Sequence, residues 1–351
     1  MYLKDLHAFR GFAIVNIVLA HTGGVLLIVQ YFMVGRTRTP GWENAFGLSE
    51  TLFHGSTLYF ALISGLLFSA VLAKKGWGRF VSSKLRYVLL PYLAMSLLFT
   101  LVFFDFEQGR VVVFPYASGT EFLHTLASHL MAGSASAQFW YLPTLAVLYL
   151  LTPLLWRLAQ YSRVWLFALG LLPLLLPRTA IELSPQTVGY FLGAYSLGLA
   201  LGMDYQAGLN WLRRWQAPLG AVALLTTLVL FMLVRKSEPL TSLGLLMESL
   251  FYLQKLALAA LVLLLLNRYE SRLPRALMML GSYAFPIFFL HMFFIGPFTF
   301  ALLTRFPPLL SGPINLLANL ISLVVALTAS VAVAWLLQRL LGRHSRSLIG
   351  A

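Results

Sequence analysis

The chain predicts an all-α fold, a polytopic transmembrane bundle of about ten spans, on three observations. Its 351 residues are 60% hydrophobic and only 10% charged. Apolar stretches of about 18 residues or more recur along its length, far beyond what a soluble core requires. Lys and Arg gather at alternate ends of those stretches, as they do around membrane helices. The candidate spans are residues 9–33, 51–73, 87–105, 139–157, 164–177, 187–204, 217–234, 246–266, 280–304 and 314–338.

With the N-terminus inside, seventeen Lys and Arg fall on the inner side. Seven fall outside (Arg36, Arg38, Arg110, Arg178, Arg235, Lys236 and Arg305), and Lys255 lies within a span. Retained loops are the basic ones, so this bias predicts that both termini are cytoplasmic. It also accounts for the net charge of +14 without a nucleic-acid partner. The first apolar run follows a basic leader, but it is about 25 residues long and lacks a small-x-small cleavage site, so it is expected to stay as a helix. The chain has no cysteine, which excludes disulfides, thiolate metal sites and an acyl-cysteine intermediate.

Connections are short except for residues 106–138, expected on the outer side. There TEFLHTLASHLM sets Phe122, Leu126 and Leu130 on one stripe behind a candidate Thr120 cap, predicting an interfacial or re-entrant helix. Pro91, Pro143, Pro153, Pro173, Pro286 and Pro297 fall in or beside apolar spans, where each frees a carbonyl that protein or water must satisfy. No internal repeat or appended soluble domain is visible. Residues 1–351 therefore read as a single membrane domain.

Arg10 and His21 are the most informative pair. Eleven residues at about 100° each come within about 20° of three turns, so both lie on one helix face about 16 Å apart. An imidazole in hydrocarbon is costly and marks a pathway or a reaction, unless a neighbouring helix simply satisfies it. His291, in LGSYAFPIFFLHMFF, falls at similar depth if its span starts near Leu280, and two imidazoles at one depth point to a common polar cavity. Lys255 is a third intramembrane ionisable group, with pairing to a carboxylate or carbonyl as its alternative role. Ser64 and Gly65 lie in FHGSTLYFALISGLLF, where the glycine reads as a close-packing residue. The segment KKGWGRFVSSKLRYVLLPY holds five basic residues, either an anchor or a cationic mouth for a phosphorylated substrate. His7 lies one turn before Arg10, His54 near the outer end of the second span, and His344 in a basic tail. His124 and His129 are poorly spaced for a metal and lack an acidic partner, so no metal is expected.

In order, LHAFRG, Arg10-x10-His21, FALISGLLF, a basic run to LPY, QFWYLPTLAVLY and LGSYAFPIFFLH resemble acyltransferase family 3, the integral membrane acyltransferases that include bacterial O-acetylases of surface polysaccharides. The resemblance covers almost the whole chain. It implies transfer of an acyl group, commonly acetyl, from cytosolic acyl-CoA to a carbohydrate hydroxyl that is exposed across the membrane or carried on a lipid. It further implies a bacterial inner-membrane location, membrane lipids and glycan-assembly proteins as partners, and acyl-CoA as co-substrate without a tightly bound cofactor. By position, Arg10 and His21 match the family's essential pair, Ser64 and Gly65 its second-span motif, Trp140 and Tyr141 its aromatic motif, and His291 its late histidine. The family's Arg-x-x-Arg is not present as such, Lys84-x-Arg86 standing nearest to it, and the esterase-like domain that some members carry is not expected here.

These residues define expected roles. His21 is the general base toward the acceptor hydroxyl, with an acyl-histidine intermediate left open. Arg10, Lys84 and Arg86 meet CoA phosphates, with Ser64, Trp140, Tyr141 and Lys255 also on substrate. His291 orients the site or stabilises an oxyanion. The competing expectation is a transporter that uses His21, His291 and Lys255 as a proton or substrate path.

Overall fold

A computed structural model describes residues 3–33, 39–105, 108–176, 178, 183–237, 244–306 and 314–350. Arg36 and Arg38 lie outside the described residues. The chain is an integral membrane protein, a nearly all-helical bundle. Eight described helical runs are long and apolar enough to cross a membrane: Lys4–Ile28, Pro40–Lys75, Trp77–Leu101, Tyr141–Tyr161, Gln216–Val234, Leu245–Arg268, Ala284–Leu302 and Leu316–Leu348.

Two of the ten expected spans have no counterpart in that set. The stretch expected at 164–177 forms only α8 (Val164–Gly170) and a tight turn at Leu172–Leu174, because Pro173 cannot continue the helix ladder. The stretch expected at 187–204 is helical as α9 (Pro185–Met203), but its sequence of glycines, tyrosines and small residues faces protein, not lipid. Tyr195, Gly198 and Gly202 on α9 meet Gly65, Leu62 and Ser69 of the second span, whose helix α3 covers Thr57–Leu67. A Cβ at Gly65 would strike the Tyr195 carbonyl, and one at Gly198 the Leu62 carbonyl. Small residues let these two backbones touch, the usual means of helix association where lipid removes the hydrophobic drive.

The first helix, α1 (Lys4–Met33), runs through the middle of the bundle, packed on α3 and on α2 (Pro40–Phe53), α12 (Leu245–Arg268), α13 (Arg275–Ser282), α14 (Ala284–Arg305) and α15 (Ile314–Leu341). Helix α2 starts with Pro40 in its first turn behind a Thr39 cap. It lies against α1, with the Trp42 indole donating to the Leu27 carbonyl at 3.2 Å. The chain then breaks: His54 is extended (ψ 140) and Gly55 is left-handed (φ +69) before α3 resumes. The second span is therefore two helices meeting at a turn.

The third span is α4 (Trp77–Lys84) joined to α5 (Leu90–Leu101) through one wide turn, Leu85–Leu89, and Pro91 falls in the first turn of α5, where its ring fits the local geometry. It stops at Leu101, earlier than expected, because residues 102–105 leave as β1 (Val102–Asp105) to pair antiparallel with β2 (Arg110–Val113), Val102 opposite Val113. A helix forms in the long connection, as α6 (Gly119–Ala132). Its cap is Ser118, not Thr120: the Ser118 hydroxyl accepts from the Glu121 amide at 3.1 Å, while the Glu121 carboxylate accepts from the Ala117 amide. Helices α7 (Tyr141–Tyr161), α10 (Tyr205–Arg214), α11 (Gln216–Val234) and α16 (Ser345–Leu348) complete the bundle.

Candidate functional site

His21 and His291 meet. Helices α1 and α14 pack side by side, and the His291 Nε2 and His21 Nδ1 atoms are 2.9 Å apart, with ring centroids at 5.0 Å. The second nitrogen of His291, Nδ1, lies 2.8 Å from the Ile287 carbonyl one turn back. A carbonyl only accepts, so Nδ1 carries the proton and donates to it. In the neutral ring Nε2 is then an acceptor, and His21 Nδ1 must supply the proton between the rings. That leaves His21 Nε2 with its lone pair. His291 is wholly buried, whereas His21 is half-buried, so the second basic nitrogen belongs to the less buried residue.

Arg10 lies half-buried on the same helix, beside His7. There α1 and α13 touch almost backbone to backbone, since a Cβ at Gly11 would strike the Leu277 carbonyl and one at Gly281 the His7 carbonyl. His7 Nε2 donates to the Met278 carbonyl at 3.0 Å, which pins this end of α1.

Ser64 and Tyr141 face one small cavity with Phe60, Leu142, Phe285 and Phe288, with room for about one water. The Tyr141 hydroxyl is buried with no hydrogen-bond partner among the described residues. Phe288 joins this cavity to the histidines, its ring 6.4 Å from that of His291 and 6.2 Å from that of Phe60. Trp140 points elsewhere, under the Arg178 guanidinium at 5.6 Å. Lys84 and Arg86 part company: the Lys84 ammonium lies 4.3 Å over the Tyr149 ring, while Arg86 donates to Ser347 of α16 at 3.3 Å. Lys255 is fully buried, and its ammonium donates to the Leu52 carbonyl at 2.6 Å, capping the end of α2 at the break.

The break also gathers a cluster that the sequence reading missed. His54 Nδ1 donates to Glu50 Oε2 at 3.0 Å, and Arg178 Nη2 donates to His54 Nε2 at 2.7 Å. Glu248 Oε1 stands 3.5 Å from His54 and 3.6 Å from Arg178, and its Oε2 is buried with no partner among the described residues. The Glu248 side chain is 3% exposed, whereas Glu50, His54 and Arg178 keep 23%, 18% and 14%, so the cluster opens on one side. Glu50 Oε1 comes within 3.9 Å of where a Cβ of Gly24 would stand, one turn along α1 from His21. His54 read as a weak candidate because two of its three partners come from distant segments. The available signal was two acids, Glu50 and Glu248, inside or beside apolar runs. Among the described residues no group of His, Cys, Asp and Glu could hold a metal ion.

A helical membrane bundle with a hydrogen-bonded histidine pair inside it defines the class: a polytopic membrane protein with ionisable groups in its interior. The chain matches the family model described as an acyltransferase domain over residues 3–339, so it belongs to acyltransferase family 3 and is a membrane acyltransferase. No curated protein and no solved structure matches it.

Proposed function

We propose that this protein is an O-acyltransferase that moves an acyl group, acetyl first among them, from cytosolic acyl-CoA to a hydroxyl of a surface or lipid-linked carbohydrate. The single observation that carries the reading is the relay Ile287 carbonyl, His291, His21, which leaves a lone pair on the less buried of the two histidines. His21 Nε2 removes the hydroxyl proton as the acceptor oxygen attacks the acyl carbonyl. The carbon–sulfur bond then breaks and the thiolate of CoA takes that proton from the imidazolium. Protonation at Nε2 leaves Nδ1–H still donating to His291, so the imidazolium keeps its orientation. His291, with both nitrogens engaged, acts as a positioning residue and is not needed as an oxyanion donor.

Arg10 is assigned to CoA phosphate, and Lys84 and Arg86, although they face different neighbours, to the same phosphorylated donor, because guanidinium and ammonium groups hold phosphate through charge-assisted hydrogen bonds. Ser64 and Tyr141 are assigned to substrate from the small cavity that Phe288 separates from His291, and Trp140 is assigned to the acceptor side. Lys255 braces the broken helix and takes no part in donor binding. Both termini are placed in the cytoplasm of a bacterial inner-membrane protein, on the charge bias and the family's habit.

Purified protein given labelled acetyl-CoA and candidate glycans tests the reading. His21→Ala is expected to lower kcat by about 10²- to 10⁴-fold. Transfer at the wild-type rate in that variant overturns it.

A further inference from the structure

We propose that Glu50, His54, Glu248 and Arg178 form the seat of the acceptor, holding a hydroxyl-rich unit so that one of its alcohols meets His21. The proposal rests on the acyl-transfer reading and deepens it by naming the groups that choose the acceptor.

Non-helical backbone among spanning helices must find its partners in protein or water, and the turn at His54–Ser56 that interrupts the second span carries this cluster. Four ionisable groups in such a place are expensive, which marks them for function. Their internal bonds leave two acceptor atoms over. Among the described residues, Glu50 Oε1 makes no hydrogen bond, and Glu248 Oε2 is buried with no partner in bonding geometry, the nearby Tyr190 hydroxyl being spent on the Glu248 backbone carbonyl at 3.3 Å. An empty buried carboxylate oxygen is a standing cost that a ligand O–H would remove. Carboxylates accept from hydroxyls and repel phosphates, so the seat suits a polyol and not acyl-CoA. The guanidinium of Arg178, lying over Trp140, closes one side with a fixed donor. Position agrees: Glu50 Oε1 sits by Gly24, past His21 as counted from the basic Arg10 end of α1. Residues three apart on a helix have Cβ positions about 5–6 Å apart, the scale of a single sugar ring.

The test uses the detergent-solubilised full chain, labelled acetyl-CoA, and two kinds of alcohol: methyl glycosides of glucose, galactose, mannose and N-acetylglucosamine, and 1-propanol, which has no second hydroxyl. The wild type is expected to prefer at least one glycoside to propanol. Glu248→Gln and Arg178→Lys are expected to raise the KM for that glycoside about tenfold or more and to reduce the preference, with the KM for acetyl-CoA moving less than about twofold. The more exposed Glu50→Gln gives the same readout if the Glu248 variant does not fold. Equal losses of kcat on both alcohols with an unshifted glycoside KM would reduce the cluster to a brace for the broken helix and overturn the seat alone. So would a wild type that acetylates propanol as readily as any glycoside. A wild type that neither transfers acetyl to any alcohol nor hydrolyses acetyl-CoA would overturn the acyl-transfer reading, and the seat with it.

Discussion

The proposed role of His21 as base turns on the fate of its other nitrogen. Fixing Nδ1–H against His291 selects one tautomer, much as a buried acceptor does for the histidine of a hydrolase triad. His291→Ala, which frees the ring, is therefore expected to lower kcat by about 10²-fold or more while the KM for acetyl-CoA stays within about threefold. Arg10→Ala is expected to behave in the opposite sense, raising that KM with a smaller effect on kcat. Steady-state kinetics on both variants separates positioning from docking. At this scale the two histidines were legible, because matched depth in two apolar runs is a property of each run alone. Which nitrogen keeps its lone pair was not, since it depends on an inter-helix bond and a carbonyl one turn away. The Glu50–His54–Glu248–Arg178 cluster was illegible for the same reason: its members come from three separated stretches of chain, and only the fold brings them together.

Helices in this bundle hold one another by small residues and by a few polar clasps. Gly65 is the clearest case, its Cα facing the Tyr195 carbonyl and Leu199 amide of α9. Backbone cannot retreat as a flexible side chain can, so Gly65→Val is expected to cost about 1–3 kcal/mol or more through overpacking. A lowered melting temperature in detergent is the measurement. Gly78→Val and Gly220→Val, at positions where an added Cβ meets open space, are the matched controls and should lower it far less. Helix α6 is held more lightly, by Tyr92 donating to the Leu130 carbonyl at 2.7 Å and by His129 Nδ1 at 2.9 Å from the Thr100 hydroxyl. Partial burial holds the His129 imidazole below the usual histidine pKa. The free ring binds a proton more readily than the docked one, so docking is complete above about pH 6.5 and weakens as pH falls from there toward the lowered value. Faster proteolysis of residues 115–135 at about pH 5.5 than at about pH 7.5, and loss of that dependence in His129→Gln, are the expected outcomes. The sequence located α6 and placed most spans, because their patterns are local. It missed the β1–β2 hairpin, whose first strand, Val102–Asp105, reads as the tail of the third apolar span. It overcounted α8, whose apolar run is cut short by Pro173.

For the molecule as a whole, the inside-outside assignment comes from the charge bias and has a direct check. The chain has no cysteine, so single cysteines can be placed without removing any. Ser82→Cys and Thr120→Cys, both at or near exposed positions, are expected to react with an impermeant maleimide from opposite faces of sealed vesicles, with Thr120→Cys labelled from outside. Labelling of both from one face would invert or break the topology. A transporter built on the same buried ionisable groups predicts substrate flux in proteoliposomes without acyl transfer, and that result would displace the enzymatic reading. The turn at Gly55 has one further consequence. The Pro40–Lys75 run is 36 residues long, and as an unbroken helix it would extend about 54 Å, against a hydrocarbon thickness of about 30 Å. Folding that length at Gly55 relieves a mismatch that would otherwise demand steep tilt or a locally swollen lipid layer, so a residue that straightens the corner should make the protein's insertion sensitive to the acyl length of its host bilayer.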